Sequence, residues 1–183
     1  MTTIAFKHHA FTAAPVTTPV EMQLVRAFLA AVNNRVPSLD DMLELSQHSP
    51  QWIQTVRREG TQDYVGAFSV LPLNRGAKTL IATNLMSGAE LRLDQLAPAD
   101  QTPAGLYMGE VIALPDRFAR AATVKAFSQK MEEVSNGYEI PVYTRPRTEE
   151  GLRLAESLHF KPVNRMGFQL GSMNFARKLA HTL

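Results

Sequence analysis

Two stretches limit what this chain can fold into. Residues 62–73, QDYVGAFSVLPL, and residues 105–114, GLYMGEVIAL, are largely apolar at successive positions. Neighbours on a strand face opposite ways, so such a run buries both of its faces. A sheet holding these strands at its centre needs cover above and below, which helices supply. With 183 residues the chain is long enough for one domain with a real core. Residues 1–183 therefore read as a single domain.

The rest of the sequence offers that cover. VEMQLVRAFLAAVNN reads as a helix with Met22, Val25, Leu29 and Val32 on one stripe and Phe28 beside it, ended at Asn33-Asn34. SLDDMLELSQHSP reads as a shorter helix capped by Ser38 and closed by Pro50. WIQTVRRE pairs with the strand after it through the turn Glu59-Gly60-Thr61. A short strand near Ile4–Phe6 precedes a Pro/Thr-rich stretch. Residues 75–88 fit a helix or a loop, and AELRLDQLAP alternates as a strand does.

Towards the C-terminus a helix is expected at about 119–135. Ala121, Val124, Phe127 or Ser128, Met131 and Val134 mark its inner face, and Asn136-Gly137 its end. YEIPVYTR is a strand in which Pro141 marks an edge, a bulge or a splay. TEEGLRLAESLHF is a helix with Thr148 as cap and two acids in its first turn. Short strands at Phe160–Val163 and Arg165–Leu170 follow. The expected class is α+β, a mixed and mostly antiparallel twisted sheet with helices on both faces.

Composition excludes several chemistries. Without cysteine there is no disulfide, thiolate metal site or cysteine nucleophile. Adjacent His8 and His9 would face opposite ways on a strand, so no metal site is expected. No run of about 18 apolar residues offers a membrane span. The start lacks a basic leader with an apolar core, so the cytoplasm is the expected location. Net charge is +2, but residues 117–183 hold 11 basic and 6 acidic side chains, a local +5. That excess suits an anionic ligand or a solvated face. Trp52 with Arg57 and Arg58 is the best candidate for nucleic-acid contact. The absence of aromatic interleaving and of a recognition-helix motif argues against one, and Trp52 reads as core.

The order of elements and IPVYTRPRTEEGLRLAESLHFKPV resemble the Gcn5-related N-acetyltransferase (GNAT) superfamily. His159-Phe160 stands where members carry Gly-Phe, YVGAFSVLPL resembles their central antiparallel strand, and LYMGEVIAL the strand lining the cofactor cleft. The likeness spans about residues 20–170. It implies a GNAT-like fold with a splayed parallel strand pair, and a site for acetyl-CoA or another acyl-CoA. The family pattern at the pyrophosphate, Gln/Arg-x-x-Gly-x-Gly/Ala, falls on Arg117-Phe118-Ala119-Arg120-Ala121-Ala122. Arg117 and Ala122 match, and Arg120 replaces the central glycine. Small residues there let backbone amides approach a phosphate. Arg120 either binds the phosphate or blocks it.

By the same resemblance Val111, Ile112, Arg117, Ala119, Arg120, Ala121 and Ala122 are the cofactor-binding candidates, with Met108 offering backbone groups. Glu110 is the candidate general base; the alternative is an acid facing solvent or pairing with Arg92. Tyr107, three residues earlier, faces the opposite way on a regular strand. Tyr143 is the candidate acid. The late-helix tyrosine that members often use falls on Ala155, and their asparagine on Thr148. The implied activity is transfer of an acetyl group to a small-molecule or peptide amine. The alternative is a non-catalytic protein on the same scaffold that binds a ligand or partner. The final segment, MGFQLGSMNFARKLAHTL, offers a strand to a second copy in a homodimer.

Overall fold

The computed structural model describes residues 1–6, 9–31, 36–49, 52–61, 63–135, 139–164 and 167–170. The expectations for His8, Val32, Asn33-Asn34, Pro50, Asn136-Gly137, Arg165 and the final residues 171–183 lie outside these. Two compact units are present, Met1–Ser69 with Glu110–Phe127, and Val70–Gly109 with Ser128–Leu183. Strands β4 (Tyr64–Leu73) and β5 (Gly105–Ala113) and helix α4 (Arg117–Ser135) each run from one unit into the other.

The first unit opens with a hairpin of β1 (Thr2–Phe6) and β2 (His9–Pro15), so the Pro/Thr-rich stretch begins as a strand. Helix α1 (Pro19–Ala30) starts at a capping box. Thr18 Oγ1 accepts from the Glu21 amide at 3.2 Å, and Glu21 Oε2 accepts from the Thr18 amide at 3.2 Å. Burial pushes the Glu21 carboxyl up, but bonds from Thr17, Arg57 and Thr18 outweigh it and hold it below its usual value. Met22, Val25 and Leu29 are buried as their spacing predicts. Helix α2 (Leu39–His48) is capped by Ser38, which accepts from the Asp41 amide at 3.1 Å. Strand β3 (Ile53–Arg58) pairs antiparallel with β2 and β4.

In the second unit the ambiguous residues 75–88 contain a helix, α3 (Arg75–Ala82), capped by Asn74. The strand expected at AELRLDQLAP is not formed. Gly88–Glu90 and Leu93–Gln95 are 3-10 turns, and a single bridge joins Leu96 to Leu73. The reason is local capture of amides. Glu90 Oε2 accepts from the Ser87 amide at 2.6 Å, and Gln95 Oε1 from the Arg92 amide at 2.8 Å. Side chains three residues on thus compete with a sheet ladder.

Strand β6 (Val142–Thr144) begins only after Pro141 and runs parallel to β5, with Leu106 opposite Val142 and Tyr107 opposite Tyr143. Helix α5 (Glu149–Ser157), β7 (Lys161–Asn164) and β8 (Gly167–Leu170) follow. The strand order is β1-β2-β3-β4-β5-β6-β8-β7. A mixed, mostly antiparallel sheet with helices on both faces is thus the observed fold, as expected.

Helix α5 ends in a Schellman turn. The His159 amide donates to Glu156 O at 2.9 Å and the Phe160 amide to Ala155 O at 3.0 Å, with His159 at φ 62°. An L-residue in that region carries a penalty that glycine avoids. His159→Gly is therefore expected to stabilise the protein by about 1 kcal/mol, read as a raised urea midpoint with an unchanged slope. A lowered midpoint would mean that the imidazole makes contacts worth more than the strain.

Candidate active site

The end of β5, the connection 114–116 and the first turns of α4 all belong to the first unit. The Leu114 amide donates to Val65 O at 2.9 Å, and the Glu110 amide to Ser69 Oγ at 3.1 Å. Both amides therefore point to β4. By strand alternation Ile112 does too. Its carbonyl lies 3.0 Å from where a Cβ on Gly66 would stand. The amides of Val111 and Ala113 then point away from β4. They are the donors this strand can offer to a ligand, whereas the Ile112 N–H is not.

Helix α4 begins at Arg117, two residues before the expected start. Asp116 caps it: its Oδ1 accepts from the Phe118 amide at 3.1 Å, and its carbonyl from the Arg120 amide at 3.0 Å. Its other carboxylate oxygen accepts from Arg58 Nη2 at 3.1 Å. The sequence reading missed Asp116, although an aspartate directly ahead of the first helical residue is a start signal. Two arginines on a helix's first turn favour an anion nearby. One such anion is this carboxylate, supplied by the chain itself.

Arg117 and Arg120 are exposed, with the Arg117 guanidinium 4.5 Å from the Phe118 ring centre. Ala119 and Ala122 are fully buried and Ala121 half-buried. The buried face of α4 is Ala119, Ala122, Thr123, Ala126, Phe127, Lys130 and Met131, with Ser128 beside it. Phe127, Ser128 and Met131 of the expected stripe are buried, whereas Ala121, Val124 and Val134 are only half-buried, which corrects the rest of it. The inner residues are small because the helix comes close to β4: a Cβ on Gly66 would stand 2.0 Å from Thr123 Oγ1. Weighting positions by apolar bulk finds Phe127 and Met131 but misses the small inner residues ahead of them.

Glu110, Val111 and Ile112 are half-buried at the end of β5. Together with Arg117, Ala119, Arg120, Ala121 and Ala122 they lie in the first unit, and Tyr143 lies in the second. Tyr143 is 4% exposed on β6, and burial pushes its phenol above the ordinary value. Tyr107 is also buried, its ring packed on the Gly88 backbone. Ala155 is fully buried and carries no hydroxyl. Thr148 accepts from the Gly151 amide at 3.0 Å as the cap of α5.

Trp52 is buried, as its setting predicts. The pair Arg57-Arg58 is half-buried, with Arg57 bonded to Glu21 and Arg58 to Asp116. Among the described residues no helix is long and apolar enough to cross a membrane.

No protein-family model matches the sequence, and no curated protein sequence is significantly similar to it. Solved structures do match. The chain is similar to a chain of the NatC complex bound to Gag peptide and CoA, at TM-score 0.60 and 12% identity, over 89% of this chain and 99% of that one. It is similar to Ard1 from Thermoplasma volcanium, at TM-score 0.55 and 11% identity, over 88% and 96% of the two chains. Arabidopsis thaliana Naa50, in complex with the bisubstrate analogue CoA-Ac-MVNAL, matches at TM-score 0.55 and 9% identity, over 89% and 98%. The chain therefore has a GNAT-like fold. At these identities the likeness defines the fold and nothing finer.

Proposed function

We propose that the chain is a GNAT-superfamily N-acyltransferase, one domain over residues 1–183, that passes the acyl group of acetyl-CoA or another acyl-CoA to an amine. The observation that carries this reading is the junction of β5 and α4 inside a GNAT-like fold. The Val111 and Ala113 amides face away from β4 there, and the exposed Arg117 and Arg120 stand on the helix's first turn. These groups fit a ligand that joins an extended amide-rich arm to a pyrophosphate. The two guanidiniums would hold the phosphates as charged forks, while Val111 and Ala113 would pair with the arm. The missing central glycine is then replaced in function by a side chain. When bound, the cofactor supplies an activated thioester.

Glu110 is the proposed base, taking a proton from the amine directly or through water. An N–H of the β5 end facing away from β4 would stabilise negative charge on the thioester oxygen. The departing CoA thiolate takes its proton from solvent, the alternative to Tyr143, which lies in the second unit. The acceptor is taken to be a small-molecule or peptide amine, and the cytoplasm the compartment.

Acetyl-CoA at millimolar concentration is expected to raise the melting temperature by more than a few degrees, because a ligand of the native state adds stability. Arg120→Ala is expected to weaken calorimetric affinity several-fold. Arg120→Gly, which restores the family residue, is expected to bind at least as well as Arg120→Ala. No heat and no melting shift at millimolar cofactor would overturn the reading.

A second reading has its own support. Ala155 offers no phenol on α5, and Asp116 holds the Phe118 amide. On that reading the scaffold binds a ligand or partner without catalysis. Thiol release from acetyl-CoA across a panel of amines separates the two, since a non-catalytic protein releases none above background.

A further inference from the structure

We infer that Asp116 is a built-in competitor for the anion at the start of α4, so that this one carboxylate sets how tightly the protein holds a pyrophosphate. The inference rests on the proposed acyl-CoA site and concerns the affinity of that site.

The argument begins with the groups a phosphate would use. The start of a helix carries partial positive charge, and its first amides lack helical partners. Here the Phe118 amide already donates to Asp116 Oδ1 at 3.1 Å. The nearest cation from the sheet, Arg58, is engaged by the other oxygen of the same carboxylate at 3.1 Å. One side chain thus occupies an amide and a guanidinium that would otherwise serve a ligand, and adds a negative charge where two more must come. Like charges brought together at a binding surface are costly.

Arg58 supplies an independent sign that its pairing is incomplete. Its Nε is buried and has no hydrogen-bond partner among the described residues. Asp116 therefore satisfies only one edge of the guanidinium. Arg117 and Arg120 remain exposed on the same turn. The start of α4 thus combines three arginines, a helix terminus and a single acid. Removing that acid's charge leaves three guanidiniums and the helix terminus to attract an anion.

The test is Asp116→Asn. Asparagine caps helices as well as aspartate does, and its side-chain oxygen can still accept from the Phe118 amide. The fold is thus kept while the charge is lost. Calorimetric titration with CoA, and separately with inorganic pyrophosphate, is carried out on the wild-type chain and on the variant. The variant is expected to bind both ligands about tenfold more tightly, with a steeper loss of affinity as salt rises. Adding Arg58→Ala to Asp116→Asn is expected to remove much of the gain. Asp116→Ser, which also caps, serves if the asparagine variant does not fold.

The outcomes separate the two ideas. Equal affinity in wild type and variant overturns the competitor role and leaves the acyl-CoA site standing. Binding by the variant alone supports the competitor role while overturning acyl-CoA binding by the wild-type chain. If neither chain binds CoA or pyrophosphate at millimolar concentration, both the site and the inference fall.

Discussion

Phe127→Ala is expected to cost about 3–5 kcal/mol of folding stability, as truncating a fully buried aromatic does. Phe127 is 0% exposed, and its ring meets that of Phe68, 1% exposed, edge to face at 5.8 Å and 85°. Both residues belong to the first unit. The edge-to-face contact joins α4 to β4 and adds to the burial itself. Truncation removes the ring and leaves a cavity that two rigid elements cannot close. A domain at the low end of the ordinary range of about 5–15 kcal/mol would survive with little to spare. Urea unfolding should show a lower midpoint at an unchanged slope. Phe127→Leu should lose less, since it fills part of the space. A loss below about 1 kcal/mol for the alanine variant would mean that α4 does not anchor on β4 as described.

The second large effect concerns the same contact nearer the candidate site. Gly66→Ala is expected to destabilise by about 3 kcal/mol, at the upper end for overpacking a core. The added methyl would stand 2.0 Å from Thr123 Oγ1, 3.1 Å from its Cβ and 3.0 Å from the Ile112 carbonyl. The hydroxyl cannot swing away freely, because it donates to Ala119 O at 2.8 Å. Two of the three obstacles lie on α4 and one on β5, so relief requires the helix start to move off the sheet. CoA affinity should therefore fall along with stability. Thr123→Ala in the same chain removes the hydroxyl and should recover part of the loss, while the Ile112 carbonyl keeps the rest. Thermal melts of the two single variants and the double variant give the coupling. Independent, additive effects would show that Gly66 and Thr123 do not meet.

The parts of the fold that could be read in advance are those where local chemistry and burial agree. Runs apolar on both faces placed β4 and β5, and the caps Ser38 and Thr148 placed the starts of α2 and α5. The parts that could not be read are those where one signal contradicts another. Residues 89–98 alternate like a strand, yet Glu90 and Gln95 reach back to amides and wind the chain into turns. The inner face of α4 was legible at Phe127 and Met131 but hidden in its first turns, because closeness to Gly66 favours alanine and threonine, which carry little apolar weight.

The same contrast holds at the candidate site. Arg117, Arg120 and Ala122 stood out because their spacing fits a phosphate pattern. Asp116 did not, since its role depends on Arg58, 58 residues away in sequence. Which amides of β5 are turned towards β4 was likewise invisible, because it is fixed by the pairing of Leu114 with Val65 and not by residue type.

The strand order leaves β7 at one margin of the sheet. That margin is poorly suited to self-assembly. It is four residues long, it carries Lys161 and Pro162, and its register slips between Pro162 and Asn164. A proline has no N–H to lend to an incoming strand, and a lysine resists stacking beside its own copy. Growth of the sheet from molecule to molecule is therefore discouraged there, and crowded solutions of the protein should not seed fibres from this side.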